Sequence, residues 1–291
     1  MSAGVLFDAP GPKARRRHMM LTGVGAVILL AVLYVVYKRL DDKGQFSSAL
    51  WKPFTDWGGF VKPYLFDGLV GTLKAAVIAI VLAGILGFAF ALARMSQIKV
   101  LRWVASVLVE IFRAIPVLLV MLFSYGYFSN SSQSSLSDNA PLIATVTGLV
   151  FYNAAVVCEV IRSGVDQLPN GQREAGLSIG LSPARTLRQI QLPQAITTML
   201  PALISQLVVI VKDTALGYNV LYGELLYSGK IGSVGPTNIV PMIIVIALIY
   251  IAINYTLSKL AEYVDRRLKA RGRGGKNQQV AGGPVMEPET A

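Results

Sequence analysis

Six long apolar runs constrain this chain more than any other feature of its sequence. They cover residues 19–37, 69–93, 104–128, 140–161, 196–218 and 239–260. A helix needs about 20 mostly apolar residues to cross a bilayer, because each residue adds only about 1.5 Å to its length. Each run has about that length, so the sequence predicts an all-α polytopic membrane protein with six transmembrane helices.

The composition agrees with a chain that is solvated mainly by lipid. Hydrophobic residues make up 54% and charged residues 15%, whereas soluble domains carry about 25% charged residues. Lys and Arg exceed Asp and Glu by 27 − 16 = 11. In a soluble protein this excess would suggest a nucleic-acid partner. Here the basic residues gather in alternate connecting segments, which predicts both termini in the cytoplasm and no nucleic-acid partner. The segment 38–66 fits this orientation least well, because it holds five basic residues.

The first apolar run could be a cleaved signal peptide or a permanent span. Basic residues precede it at 13–17, as in a signal peptide, but Lys38 and Arg39 follow it directly instead of a small-residue cleavage site. We therefore interpret it as an uncleaved membrane span.

Cysteine and histidine are too scarce for most catalytic or metal-binding sites. The chain has one cysteine, Cys158, and one histidine, His18, which lies in the basic N-terminal segment. Ser-His-Asp and Cys-His catalysis both need a histidine in the folded core. A Gly-x-x-x-x-Gly-Lys-Ser/Thr phosphate loop is also missing from the sequence. We expect no catalytic residue, no metal site and no cofactor in this chain.

Composition divides the chain into three parts. Residues 1–66 hold the first span and an outer loop, residues 67–265 form a helical core, and residues 266–291 form a basic tail. We expect the first 18 residues and this tail to be mobile, with the tail near anionic lipid headgroups. An aromatic-rich stretch of the outer loop should lie on the membrane surface; its members are Trp51, Trp57, Phe60 and Tyr64.

The longest inner segment, residues 162–195, has the pattern of a docking element. The sequence predicts a short helix over 171–179 that stops at Gly180. Ser182-Pro183 predicts the start of a second short helix, ending before Leu192-Pro193. Short amphipathic helices in such a segment more often contact a partner than act as a spacer.

Charged residues within the apolar runs need an explanation, because charges are costly in a bilayer. Glu110 and Arg113 are three residues apart and can pair, as can Glu159 and Arg162. These pairs either anchor helix ends in the headgroup region or line a substrate path. We expect Arg113 to lie deepest, just before Pro116, which removes a backbone hydrogen bond and can bend the helix.

Lys212 and Asp213 are neighbours, so at least one should face the interior of the bundle. A buried Lys212 could meet a substrate carboxylate, or its side chain could extend to the membrane surface. The following residues, 214–238, are rich in Gly and Tyr. We favour an ordinary outer loop there over a re-entrant gate or a contact with a binding protein.

Residues within the segment 162–195 match a known signature. They are Glu174-Ala175-Gly176, then after three residues Gly180, after nine Ile190, and after one Leu192-Pro193. This pattern resembles the EAA signature of ABC-importer permeases, in which Glu-Ala-Ala, Gly, Ile and Leu-Pro follow at the same spacings. Gly176 replaces the second Ala of the signature, and both residues are small.

Other motifs resemble the polar amino acid branch of this permease family, over roughly residues 67–265. They are Phe-Arg-Ala-Ile-Pro at 112–116, Glu-Val-Ile-Arg-Ser-Gly-Val at 159–165 and Lys-Asp-Thr-Ala-Leu at 212–216. The resemblance implies a type I (MetI-like) helical bundle with five core helices, to which the first span is an addition. The likeness to permeases of actinobacterial glutamate uptake systems implies glutamate as the cargo.

The resemblance also implies partners and site residues. The segment 162–195, which we call the coupling loop, would seat in a groove of a cytoplasmic ATPase and transmit nucleotide-driven motion to the helices. A second permease, with a heteromer expected, and an extracytoplasmic binding protein would complete an importer of the bacterial plasma membrane, with ATP and Mg on the ATPase. The expected coupling residues are Glu174, Ala175, Gly176, Gly180, Ile190, Leu192 and Pro193. The expected substrate-path residues are Arg113, Pro116, Glu159, Lys212, Asp213 and Thr214.

Three alternatives stay open at this stage. Glu174 could merely cap a surface helix. The chain could be a secondary carrier driven by an ion gradient, although it lacks the internal repeat common in carriers. A membrane-embedded enzyme is the third alternative, but no cluster of catalytic or metal-binding residues supports it.

Overall fold

The computed structural model of the protein describes residues 11–273, and this part of the chain is helical throughout, without a strand. Its helices are α1 (Pro12–Asp42), α2 (Ser48–Trp51), α3 (Asp67–Arg94), α4 (Lys99–Ala114), α5 (Val117–Ser129), α6 (Ser134–Asp138), α7 (Ala140–Asp166), α8 (Asn170–Ser178), α9 (Pro183–Thr186), α10 (Leu192–Asp213), α11 (Leu225–Val234) and α12 (Ile239–Arg273). Segments Lys52–Thr55 and Thr214–Val220 are 3₁₀-helical, and Trp57–Phe66 and Leu187–Gln191 are π-helical.

Five helices of the described part are long and apolar enough to cross a membrane, and α4 with α5 would make a sixth crossing if this bent pair is counted as one span. Five of the six predicted spans are therefore present as single helices. The third is not one continuous helix, because α4 and α5 meet at an angle of 96°. Ile115 and Pro116 form the break, with Pro116 at the N-cap of α5. Proline lacks the N–H that would continue the helical hydrogen bonds of α4.

The bundle is built on a close contact between α3 and α7. Small residues line the buried side of α3: Gly68, Thr72, Ala75, Ala76, Ala79, Ala83, Gly87 and Ala91. A β-carbon at Gly87 would lie 2.8 Å from the Ala154 carbonyl oxygen of α7. Helices in lipid gain stability from such close approach, because lipid tails remove the usual hydrophobic force between them. α5 and α10 pack on the other sides of α7, and α12 packs on α10.

The first span stands apart from this core. Nothing in its apolar stretch is buried within the molecule, and its apolar side chains, such as Leu30 and Leu33, are more than half exposed. α1 begins at Pro12 and α12 extends to Arg273. Residues 12–18 and 266–273, which belong to the segments expected to be mobile, are helical, while residues 1–10 and 274–291 lie outside the described part.

The aromatic stretch of the outer loop contributes to the core, contrary to expectation. Trp57–Phe66 runs directly into α3, and Phe60 and Leu65 are buried with Leu225, Met242 and Ile246. Trp57 alone of the π-helical aromatic residues keeps most of its surface exposed, at 61%. The aromatic side chains thus stabilise the junction of α3, α11 and α12 more than they cover a membrane surface.

Residues 214–238 are also more ordered than the ordinary loop that we favoured. The 3₁₀ segment is followed by Leu221 in the left-handed conformation and then by α11. α11 packs against α3, the π-helical segment Trp57–Phe66 and α12. Glycines allow this contact, since a β-carbon at Gly229 would collide with Ile246 and one at Gly232 with Tyr64. The glycine-rich composition therefore reflects tight packing.

Candidate functional site

The coupling loop forms a compact helical hairpin between α7 and α10. α8 ends at Ser178, and Gly180 adopts φ +82°, a left-handed conformation that favours glycine. Leu181 N then donates to the Gly176 carbonyl oxygen at 3.1 Å. This arrangement confirms the predicted short helix, its stop at Gly180 and the turn that follows. The left-handed conformation of Gly180 lets the chain reverse its direction within three residues.

The second half of this hairpin differs from the prediction. α9 continues into the π-helical segment Leu187–Gln191, and that segment continues into α10 without a break at Leu192-Pro193. Leu192 N donates to the Leu187 carbonyl oxygen, five residues earlier. Pro193 needs no backbone donor in the first turn of α10. The prediction that the helix ends before Leu192 is therefore wrong.

The residues of the EAA pattern divide into a buried and an exposed group. Gly176 and Leu192 are buried and Ile190 is half-buried, so these three hold the hairpin together. Glu174, Ala175, Gly180 and Pro193 are exposed. Within the described residues, the Glu174 carboxylate has neither a hydrogen bond nor an ion pair. It therefore does not cap its own helix, and it is free to contact a partner.

The hairpin is tied to the bundle by polar contacts. Gln194 Nε2 at the start of α10 donates to Gln172 Oε1 of α8 at 3.0 Å. A movement of α8 would therefore be transmitted to α10, which is a long helix of the bundle.

A network of ion pairs lies next to the coupling loop and joins α3, α4 and α7. Arg94 Nη1 lies 2.6 Å from Glu159 Oε2, and Arg162 Nη2 lies 2.6 Å from Glu159 Oε1. Arg113 lies 3.8 Å from Glu110 and 3.9 Å from Glu159. Both predicted pairs are present, and Glu159 forms ion pairs with three guanidinium groups, accepting hydrogen bonds from those of Arg94 and Arg162.

Two aspects of this network were not predicted. Arg94, at the end of α3, has a side chain only 12% exposed, and it was not among the residues predicted for the site. Its position at the end of an apolar run, on the same side as Arg162, was the available signal. Arg113 was expected deep in the membrane, but its contact with Glu159 places it at the end of the bundle that carries the coupling loop. The break at Pro116 explains this position.

Lys212 lies on an open groove between α10 and α12. The groove has two adjoining cavities, of about 490 and 390 Å³, and Lys212 and Ser258 line both. Tyr250 and Asn254 line the larger cavity. Asn254 stands 15 residues into α12, near the middle of its apolar stretch. A lysine facing hydrocarbon at such a depth costs about 2.5–3.5 kcal/mol, so the groove needs water or protein opposite it.

The two residues after Lys212 face other directions. Asp213 is half-buried and Thr214 is fully buried, with Thr214 Oγ1 donating to the Val211 carbonyl oxygen at 2.7 Å. The expectation that one of the pair faces the interior is met by Asp213. The structure separates these residues from Arg113, Pro116 and Glu159, which lie at the coupling-loop end.

A buried glutamate, Glu224, connects the far end of the bundle to this groove. Its carboxylate accepts hydrogen bonds from Leu226 N and Tyr227 N, each at 2.7 Å, and from Tyr250 Oη at 2.9 Å. Leu225 N donates to Thr72 Oγ1 of α3. Glu224 thereby caps α11 and orients Tyr250, a residue of the groove. Glu224 lies within the segment 214–238, for which we had favoured an ordinary outer loop.

Comparison with known proteins places these features in a family context. Residues 79–270 match the family of binding-protein-dependent transport system inner membrane components. The chain is 43% identical to the glutamate transport system permease protein GluD of Corynebacterium glutamicum, over 82% of this chain and 86% of that protein. It is 33% identical to the glutamate/aspartate import permease protein GltK of Escherichia coli O157:H7, over 73% and 97% of the two chains.

Solved structures show the same architecture. A crystal structure of an amino acid ABC transporter with histidines superposes with a TM-score of 0.64 at 31% identity, covering 71% of this chain and 94% of that one. An inward-facing structure of the MetNI methionine ABC transporter gives a TM-score of 0.59 at 18% identity, covering 70% and 95%. The second similarity shows the fold alone, a MetI-type permease bundle.

Proposed function

Because the chain belongs to the family of binding-protein-dependent transport system inner membrane components, we propose that it is the permease subunit of an ATP-driven importer of a polar amino acid, with glutamate as the cargo. The family membership and the all-helical membrane fold rest on the sequence and structural matches. Glutamate as the cargo is supported by the relatives from Corynebacterium glutamicum and Escherichia coli.

One observation carries the proposal: the exposed carboxylate of Glu174 stands on a rigid hairpin that is bonded to α10. The buried residues of the EAA pattern fix the hairpin, and Gln194 joins it to the bundle. A partner ATPase that binds α8 would therefore displace α10 when it moves, and Lys212 of α10 would move with it. This connection couples nucleotide-driven motion to the groove.

The groove around Lys212 is our proposed wall of the substrate path. Lys212 Nζ would pair with a carboxylate of the amino acid, while Asn254 and Ser258 offer neutral hydrogen-bonding groups. The open side of the groove would be covered by a second permease, which also removes the cost of an exposed lysine within the bilayer. Asp213 and Thr214 support the wall from inside, whereas Arg113, Pro116 and Glu159 act at the coupling-loop end.

The proposed assembly has two permeases, two cytoplasmic ATPases and an extracytoplasmic binding protein. The coupling loop and both termini lie in the cytoplasm, in agreement with the distribution of basic residues. ATP and Mg bind to the ATPase chains, and this chain acts by motion alone. We expect the two permeases to differ, because the extra span α1 is an addition to the five-helix core and is exposed along its length.

Uptake and ATP hydrolysis in liposomes, measured with the purified complex and its binding protein, test the proposal. Glu174→Arg should reduce the amount of ATPase that co-purifies with the permease and abolish uptake of labelled glutamate. Asp138→Arg, an equal charge reversal on the exposed helix α6, should keep the ATPase bound. Uptake by this chain without any ATPase, unaffected by Glu174→Arg, would replace the importer with a carrier driven by an ion gradient.

A further inference from the structure

A polar cavity of about 410 Å³ lies between α4, the end of α7 and the coupling loop. It is separate from the groove around Lys212. Its polar lining residues are Gln97, Arg102, Asp166, Asn170, Arg173 and Gln191. Gln97 and Arg102 belong to the bundle side, whereas Asn170, Arg173 and Gln191 belong to the coupling loop. Any molecule bound here would therefore contact the bundle and the moving hairpin at once.

The charges around this cavity favour an anion. Within the described residues, neither Arg102 nor Arg173 has an ion pair or a side-chain hydrogen bond. The one carboxylate, Asp166, is neutralised by Arg162, since Arg162 Nη1 lies 2.6 Å from Asp166 Oδ2. The cavity is also next to the start of α8, where backbone N–H groups carry partial positive charge. Two guanidinium groups and three side-chain amides can bind the oxygen atoms of a phosphate.

The neighbouring helix α4 indicates where this anion comes from. Val100, Val104 and Ile111 are exposed apolar residues on one side of α4, with Val100 at 72%. Lys99, Arg102, Ser106, Glu110 and Arg113 follow at helical spacing on the other side of the helix. A helix with such faces lies in the plane of the membrane surface, with its polar side at headgroup depth. Arg102 and the cavity are therefore placed where lipid phosphates lie.

We propose that this cavity binds the phosphate headgroup of an anionic phospholipid, and that the bound lipid holds the coupling loop against the bundle. The inference rests on the proposed function for its consequence but not for the binding itself. A bound headgroup would connect the hairpin to α4. The hairpin would then be held on both sides, and the full movement of α8 would be transmitted to α10. Without it, the hairpin is held on one side only, and ATP hydrolysis moves fewer amino acids for each ATP.

Native mass spectrometry of the intact detergent-solubilised complex tests the binding. The probe is dioctanoyl phosphatidylglycerol, with dioctanoyl phosphatidylcholine as the zwitterionic comparison. Arg102→Gln should weaken phosphatidylglycerol binding about fivefold, as expected for one basic residue at an anionic surface. Lys99→Gln is the matched control, because Lys99 is exposed on the same helix, three residues away, and does not line the cavity; it should leave binding unchanged. Arg173→Gln should weaken binding like Arg102→Gln, and Arg102→Lys should restore most of it.

Two further arms decide the source of the anion and its effect. Inorganic phosphate and L-glutamate are added as competitors, and equal or tighter binding of either would overturn the lipid assignment. An equal loss for Lys99→Gln and Arg102→Gln would also overturn it, because surface charge alone would then explain binding.

In liposomes, phosphatidylglycerol should raise the number of glutamate molecules imported per ATP for the wild type and not for Arg102→Gln. Binding without ATP-driven uptake would count against the importer, whereas uptake without binding would count against the lipid site.

Discussion

Gly176 of α8 packs so closely on Thr186 of α9 that a β-carbon at residue 176 would lie 2.6 Å from the Thr186 methyl carbon. It would also lie 3.0 Å from Cδ1 of Ile190. The glycine that departs from the Glu-Ala-Ala pattern is therefore matched to a β-branched neighbour. The two positions form one packing unit within the coupling loop.

Gly176→Ala should destabilise the coupling loop by about 1–3 kcal/mol, the usual range for overpacking. Thr186→Ala in the same chain should restore the loss, because it removes the methyl group and also a buried hydroxyl that has no partner in the described part. The measurement is the ATPase retained on purified permease at rising temperature. Gly171→Ala, on the same helix with no atom within 4 Å of the added carbon, is the control. A double variant no better than Gly176→Ala would contradict this explanation.

Gly180→Ala should uncouple the ATPase while leaving the bundle folded. An alanine with φ near +82° is strained by about 1–2 kcal/mol relative to glycine, so the turn would open. We expect lower uptake per ATP hydrolysed, with little change in the melting temperature of the membrane domain. Unchanged coupling would show that the turn tolerates another conformation.

Arg94 and Glu159 should show a larger interaction energy than an exposed pair of the same chain. Their contact of 2.6 Å is mostly shielded from solvent, whereas Lys259 and Glu262 are about half exposed. A double-mutant cycle with Arg94→Met and Glu159→Gln should give more than about 1 kcal/mol, the upper range for surface pairs. The same cycle with Lys259→Met and Glu262→Gln should stay below that value. Equal coupling energies would exclude a special role for the network.

Glu224→Gln should lower stability more than any neutralisation of an exposed carboxylate. Its two oxygens accept three hydrogen bonds in a fully buried site. Glutamine keeps one of these oxygens, but its amide nitrogen cannot accept the hydrogen bonding at the other position. Leaving a buried donor without a partner costs about 1–3 kcal/mol. Thermal unfolding in detergent measures the loss, with the exposed Glu262→Gln as the control. Similar melting temperatures for the two variants would mean that water replaces the lost acceptor.

Lys212→Met should reduce glutamate uptake about tenfold, in line with the loss of a hydrogen bond to a charged group. ATPase retention should be unaffected, because Lys212 is far along α10 from the coupling loop. Lys212→Arg keeps the charge and should retain much of the uptake. Lys43→Met, at an exposed position in the turn after α1, is the control for the loss of one charge. Full uptake by Lys212→Met would remove this lysine from the proposed path.

The coupling loop was the part of the site that could be predicted from sequence. The turn of the loop depends on Gly180, and the positions where its helices begin depend on the residues just before them. Such local conformation is encoded in neighbouring residues, so it can be predicted from the sequence. The π-helical passage through Leu192-Pro193 was not predictable in this way. Proline normally ends a helix, and only the continuous stacking of the hairpin on α10 shows that it is accommodated in a first turn.

Arg94 and Glu224 show why contacts between residues far apart in the sequence could not be predicted. Arg94 is 65 residues from Glu159 along the chain, and Glu224 is 26 residues from Tyr250. Neither pairing can be read from periodicity or composition, because such contacts depend on how separate helices come together. The position of Arg94 at the end of an apolar run indicated its side of the membrane but not its partner. The glycine-rich segment after Thr214 suggested a loop for the same reason, since small residues are equally suited to turns and to close helix contacts.

The sequence by itself determined that this protein is a helical membrane protein with five or six spans and that it carries the EAA residue pattern between α7 and α10. Apolar length, basic-residue placement and motif spacing all act along the chain, so they can be read without coordinates. Only the tertiary structure decided the 96° break before α5, the ion-pair network around Glu159 and the groove that exposes Lys212. Burial and pairing depend on the relative placement of helices, and in a bilayer that placement is set by close side-chain packing rather than by hydrophobicity.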